Sequence, residues 1–269
     1  GIDLFRDAIA AARERGLPIT THIAQSLNEL KEIKARHGMS PIALADHMGL
    51  LGDNCLLAHA IFLGHHSLVG EDGARDIERL AETGTSIAHC PTPIGRYGHL
   101  LQDFGRYARA GINMSIGTDV SPHNILEEMR TALIMARTAA QDVLAVTTSE
   151  VLTAATVGGA RAMLRDDLGK IEVGAKADIV LVDLTDPNMV PARDPLRSLI
   201  YTAAERAVRD VFVDGIQVVE NRRVLTLDRA DAAARLAEGQ QRMMDAAPQR
   251  DFLGRTADEI TPISLPLVS

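Results

Sequence analysis

The sequence predicts an α/β fold, half of a (β/α)8 TIM-like barrel with a small β module appended, and three observations point there. First, four short apolar runs each end in a polar residue, at positions 22, 59, 89 and 119, a recurrence close to the ~30 residues of a βαβ unit. Second, those runs are continuous rather than alternating, as expected of parallel strands buried on both faces. Third, the pattern changes near residue 165, from strand–helix repeats to turn-rich strands.

The elements follow in order. Residues 1–14 carry Ile2, Leu4, Phe5, Ala8, Ile9 and Ala12 at helical spacing. The chain starts at Gly1 directly inside this stripe, with neither Met nor leader, and so reads as a piece of something longer. The strand runs are Leu17–Thr21 ending in His22, Cys55–Ala58 ending in His59, Thr85–Ala88 ending in His89, and Ile112–Thr118 ending in Asp119. Amphipathic helices are expected over 26–37, 71–83 and 99–110, the last two closed by Gly84 and Gly111, and further helices over 124–140 and 149–163. Beyond them, 177–183 reads as a strand, and Val208–Val213 and Ile216–Val219 as a hairpin through the Asp214-Gly215 turn. Residues 185–197, with Pro187, Pro191 and Pro195, read as a loop, and 228–246 as an Ala-rich helix before a tail. The implied domains are 1–165, 166–225 and 226–269. A doubly wound sheet competes, but no G-x-G-x-x-G or Walker-type loop follows any strand.

Composition narrows the function. With 28 basic and 36 acidic residues in 269, a net charge of -8 and no Lys/Arg block, neither nucleic acid nor an anionic membrane is an expected partner. No apolar run approaches the ~20 residues that span a bilayer. Two cysteines make no disulfide framework, so a reducing cytoplasm is the default compartment. A homodimer is the base-rate expectation for such an enzyme.

Taken singly, a histidine at a strand end is more often a hydrogen-bonded structural residue. Three histidines and an aspartate closing successive units are different, because a barrel gathers its strand ends around one mouth. Imidazole nitrogen and carboxylate oxygen are the donors of a zinc-type divalent cation, so the set points to a hydrolytic metal site. A sugar-phosphate enzyme is disfavoured, because the third and fourth loops lack a Gly-rich phosphate cradle.

Thr21-His22-Ile23-Ala24-Gln25, Leu57-Ala58-His59, Ala88-His89-Cys90-Pro91 and Gly117-Thr118-Asp119 resemble successive barrel-strand motifs of the amidohydrolase superfamily. Ala154–Ala162 followed by Gly169–Asp178 resembles its junction between barrel and β-sandwich. Within it the chain is most similar to the aminohydrolases and chlorohydrolases of the atrazine and triazine type, related to cytosine, guanine and S-adenosylhomocysteine deaminases. The likeness covers roughly residues 15–220 and implies barrel strands 5 to 8 plus part of a small β-sandwich. It implies one divalent metal, zinc or iron, held by His22 and Asp119, with Asp119 also taking a proton from metal-bound water. His59 would contact substrate or the attacking water, and His89 would help hold the substrate ring. The expected reaction is attack of metal-generated hydroxide on a nitrogen heterocycle with departure of an amine.

Two departures keep alternatives open. Where many deaminases of this branch carry a proton-shuttling Glu three residues after the strand-5 His, this chain has Gln25. An amide hydrogen-bonds but relays no proton, so His59 or Asp119 does that work, or the leaving group is chloride, or Gln25 only binds substrate. The strand-1 His-x-His pair is absent, since the histidines stand at 22, 37, 47, 59, 65, 66, 89, 99 and 123. The N-terminal half of the barrel is therefore expected as a missing segment or separate chain. Amide hydrolysis, or a degenerate non-catalytic relative, remain as further readings. Arg96 and His123 are the secondary substrate-binding candidates, with a solvated arginine as the bland alternative for the first. Asn124 reads as a helix cap, Met129, Met135 and Met163 as core, and Phe62, Tyr97 and His89 as the rings free to stack on a substrate.

Overall fold

The computed structural model describes residues 2–70, 73–102 and 104–265. After α1 (Ile2–Glu14), the strands β1 (Ile19–Ile23), β2 (Cys55–His59), β3 (Ser86–His89) and β4 (Met114–Ile116) form one parallel sheet in chain order. Leu57 and Ile87 on the two central strands are fully buried, and Leu80, Phe104, Met129 and Leu133 close over them from the surrounding helices. Among the described residues, the outer edges of β1 and β4 pair with no strand.

The crossovers are helical. Between β1 and β2 run α2 (Leu27–His37) and α3 (Pro41–His47); α4 (Asp76–Thr83) precedes β3; α5 (Pro91–Arg96) and α6 (Phe104–Arg109) precede β4. The ends follow local chemistry. Ser26 caps α2, and Gly38 and Gly84 leave α2 and α4 in the left-handed conformation that glycine adopts without a Cβ penalty. Residues 71, 72 and 103 of the expected helices lie outside the described residues. The expectation of one crossover helix overlooked α3, although Ser40 at its N-cap and Pro41 at its first position were sequence signals. Arg96 ends a short helix rather than lying on a loop, because Pro91 at the first helical position is already set for the turn.

α7 (Ile125–Ala140) is capped by Asn124, whose side chain accepts from the Leu126 and Glu127 amides. The expected 149–163 helix is three pieces: α8 (Thr148–Thr153), a widened π turn over Ala154–Gly158, and α9 (Gly159–Ala162). The widening lets Gly158 lie against β4. A Cβ on it would stand 2.2 Å from the Met114 carbonyl oxygen, and Asn113 Nδ2 donates to Gly158 O at 3.0 Å. Met163 caps α9 and is 57% exposed, so it is not core.

A second, antiparallel sheet holds β5 (Ile179–Val182), β6 (Val208–Val213), β7 (Ile216–Glu220) and β8 (Arg223–Val224). Asp214 and Gly215 both take positive φ, the pairing a two-residue hairpin requires. α10 (Pro195–Ser198) begins inside the expected 185–197 loop because Asp194 caps it through the Arg197 amide. α11 (Arg229–Arg250) runs past the expected end and through Pro248, with none of its residues buried, and α12 (Ala257–Ile260) follows. No helix among the described residues is long and apolar enough to cross a membrane.

One buried carboxyl makes the fold pH-dependent. Asp76, 1% exposed at the start of α4, accepts from Ser40 Oγ at 2.6 Å. Burial pushes its pKa up to about 6, so ionising it in place costs stability as pH rises from ~4 to about 6, and the full cost persists above. Urea melts of wild type and Asp76→Asn at pH 4.5 and 7 are expected to differ by roughly 2 kcal/mol more, in the variant's favour, at the higher pH. A difference independent of pH would contradict this.

Candidate metal centre

The site is built at the carboxyl ends of the parallel strands. In-register pairing sets Ile23 beside His59, Ala58 beside Ala88, and His89 beside Ile116. Partners in a parallel ladder face the same side, so a regular strand would send His59 away from His22. The chain avoids this by leaving the strand conformation at the last residue: His59 has φ 73 and Asp119 φ 58, with Ala24 and Ala60 also left-handed. Non-glycine residues there cost about 1–3 kcal/mol each and persist only where surrounding contacts impose them. Those contacts are visible. Ala60 N–H donates to Ile23 O, Phe62 N–H to Ala24 O, and Tyr107 Oη to Ala60 O, at 3.0, 3.0 and 3.1 Å.

The result brings three of the four strand-end residues together. His22, His59 and Asp119 each offer a ligand atom, and all three lie within 4.8 Å of one another. The His22 and His59 rings stack at 5.2 Å between centroids, with 24° between planes. Metal–ligand bonds of ~2 Å bring these donors to one cation after small side-chain movement. His22 and Asp119 are exposed, whereas His59 is fully buried and neither of its ring nitrogens has a hydrogen-bond partner. Burial lowers the His59 pKa; Asp119 pulls it back up, and His22 lowers it further. An unpartnered buried imidazole costs about 1–3 kcal/mol, a cost that binding a cation, water or substrate there relieves. Two imidazoles and a carboxylate are also a fitting donor set for a zinc-type ion.

The other candidates are placed as follows. His89 is 2% exposed, tilted against Phe104 at 5.9 Å, and burial pushes its pKa down to about 3. Gln25 is exposed on the turn after β1, its N–H donating to Glu29 Oε2 at 2.9 Å. Arg96 is exposed at the end of α5, and His123, also exposed, has Nδ1 3.1 Å from Thr118 Oγ1. Phe62, expected as a stacking ring, is fully buried between the edges of His66 and His99, whereas Tyr97 is 79% exposed.

Two residues that sequence reasoning passed over, Glu29 and Glu205, hold the site's loops. Glu29 accepts from the Ala24 and Gln25 amides at 2.7 and 2.9 Å, while Ser26 Oγ accepts from Glu29 N–H. The Ser26-x-x-Glu29 spacing was the available signal. Asn124 Nδ2 donates to Glu205 Oε2 at 2.7 Å, tying the loop after Asp119 to the segment before β6; nothing in the sequence marks that pair.

The Amidohydrolase family model matches residues 2–218. A 5-methylthioadenosine/S-adenosylhomocysteine deaminase of Natronomonas pharaonis is 34% identical over 240 residues, covering 88% of this chain and 53% of the relative. A 5'-deoxyadenosine deaminase of Methanopyrus kandleri is 30% identical, covering 85% and 52%. Among solved structures, an adenosine deaminase from Xanthomonas campestris with bound zinc superposes with a TM-score of 0.83 at 31% identity, covering 90% of this chain and 54% of that one. Atrazine chlorohydrolase TrzN from Arthrobacter aurescens TC1, complexed with zinc, gives 0.77 at 27% identity, covering 88% and 52%. The chain thus spans about half the length of the curated relatives it matches. With four-fifths of its length matched, the chain belongs to the amidohydrolase family.

Proposed function

We propose that this chain is the C-terminal half of a barrel hydrolase that removes an amino group from a nitrogen heterocycle, with His22 and Asp119 holding one divalent cation, zinc before iron. The observation that carries this is the convergence of His22, His59 and Asp119 within 4.8 Å at the strand ends. The domains follow as a barrel half over 1–165, a sandwich module over 166–225 and a C-terminal helix and tail over 226–269. A cytoplasmic location belongs to the same reading, supported by two free, buried cysteines.

A cation bound here supplies Lewis acidity that brings the pKa of water from about 15.7 to ~7. The chain's own groups do the rest. The Asp119 carboxylate accepts a proton from water at the rim. His59, kept neutral at pH 7 by its burial, holds an acceptor nitrogen toward the same point. The Gln25 amide donates and accepts hydrogen bonds but relays no proton, so the proton that Asp119 takes from water reaches the departing amine from Asp119 directly or by way of His59. Arg96 and His123 line the mouth as substrate contacts, and His89, enclosed beside His59, backs that ring. Adenine nucleosides are the first class to test, since the named relatives are nucleoside deaminases. Gln25 supports a second reading, chloride release, because chloride departs without a proton.

The N-terminal half of the barrel is the partner this reading requires. The outer edge of β1 is unpaired among the described residues, and beside it lies an apolar cavity of about 250 Å³ lined by Phe5, Ile33, Leu44 and Met48 together with His22. Unpaired edges recruit strands, and the matched relatives are nearly twice as long as the match.

Two measurements test the proposal. Alanine at His22 or Asp119 is expected to weaken zinc binding by tenfold or more in competition with a chromophoric chelator, while alanine at the remote Glu238 leaves it unchanged; equal affinity in all variants would refute the ligand assignment. Zinc-loaded full-length protein offered 5'-methylthioadenosine, adenosine and a chloro-s-triazine is expected to release ammonia, with His59→Gln lowering kcat by about 10²–10⁴. Chloride instead of ammonia would transfer the assignment to the second reading, and neither product would overturn both.

A further inference from the structure

α5, the short helix that ends in Arg96, does not cap itself. Its N-cap residue, Cys90, makes no side-chain capping bond. The acceptor comes from another helix: Glu128, in the first turn of α7 and 1% exposed, takes the Thr92 N–H on Oε2 at 3.0 Å. Three residues on, Thr131 Oγ1 lies 3.4 Å from Thr92 Oγ1, and Thr131 is itself anchored to Glu127 O at 2.8 Å. Four residues further, Met135 presses on Gly95, where an added Cβ would stand 2.6 Å from Met135 Cε. Positions 128, 131 and 135 form one stripe of α7, so α5 is seated along its length on a single helix face. Arg96 also lies within electrostatic range of the Glu128 carboxylate. The same α7 begins six residues after Asp119, with its cap Asn124 between them.

A carboxylate this enclosed is costly unless its oxygens are hydrogen-bonded, and the α5 amide is what it is spent on. A residue serving packing alone would be served as well by an apolar side chain. We propose that Glu128 is a positioning residue for substrate: by capping α5 from α7 it sets where Arg96 stands at the mouth, and thereby controls substrate affinity without touching substrate or metal. The inference rests on the reading of Arg96 as a substrate contact.

The test uses the zinc-loaded full-length protein with 5'-methylthioadenosine as probe. Glu128→Ala is expected to raise KM about tenfold, the effect of losing a helix cap, with kcat and zinc content within about twofold of wild type. Glu128→Gln, which keeps an acceptor oxygen for Thr92, restores most of the affinity. Arg96→Ala raises KM at least as far, and the double variant goes no further than Arg96→Ala alone. Gly95→Ala, which displaces α5 against Met135 without altering charge, shifts KM in the same direction and carries the test if Glu128→Ala does not fold. A raised KM in Arg96→Ala with an unchanged KM in Glu128→Ala and Gly95→Ala overturns the positioning role and leaves the site reading intact. An unchanged KM in Arg96→Ala overturns the Arg96 reading and the positioning role with it, whereas a Glu128→Ala protein that loses zinc or kcat instead of affinity overturns the positioning role alone. Hydrogen exchange over residues 91–97 reads the cap without any turnover: Glu128→Ala must speed it, and unchanged exchange refutes the inference.

Discussion

The parallel register of β1 to β4 is the constraint on which the site depends. Ladder pairing puts the last residues of neighbouring strands a few ångströms apart, but it also dictates which face each side chain takes. His22 stands beside Ala58, and His59 stands beside Ile23, so an uninterrupted ladder would separate the two imidazoles across the sheet. The left-handed step at His59 reverses that, stacking the rings and presenting Asp119 to both. Strain around His59 is held by main-chain bonds from Ala60 and Phe62 and by the buried Tyr107 hydroxyl. Core packing beneath the sheet is therefore part of the site, because it holds the backbone in a conformation these residues would not choose alone.

Burial then separates the roles of chemically similar groups. His22 and Asp119 face solvent, whereas His59 and His89 are enclosed, and desolvation lowers the pKa of both imidazoles. Enclosure turns a titratable ring into a fixed acceptor or donor, while exposed groups at the rim remain open to solvent. The loops carrying the remaining candidates are held by carboxylates and amides reaching in from elsewhere: Glu29 under the Ala24–Gln25 turn, Glu128 under α5, and Asn124 across to Glu205. The mouth is thus organised by polar contacts, and the interior by aliphatic ones.

Much of the architecture was legible in the residues. Spacing and continuous apolar runs indicated four parallel strands, and glycine and Asp-Gly signals marked the ends of α4 and α6 and the β6–β7 turn. Helix boundaries were less so. α3 and α5 begin at prolines that read equally well as loop, and the 149–163 helix widens where Gly158 closely approaches Met114. Local pattern cannot report such an approach, because the atom that enforces it lies more than forty residues away in the chain.

For this protein the sequence alone determined which donors are available and that they end successive strands, because periodicity and residue type are local properties. It also placed an amide, Gln25, three residues after His22. Only the tertiary structure decided that His59 turns to meet His22, that His89 and Phe62 are enclosed while Tyr97 is free, and that α5 takes its cap from α7. Those outcomes depend on left-handed backbone and on contacts between distant segments, and both are set by packing rather than by any stretch of residues read in isolation.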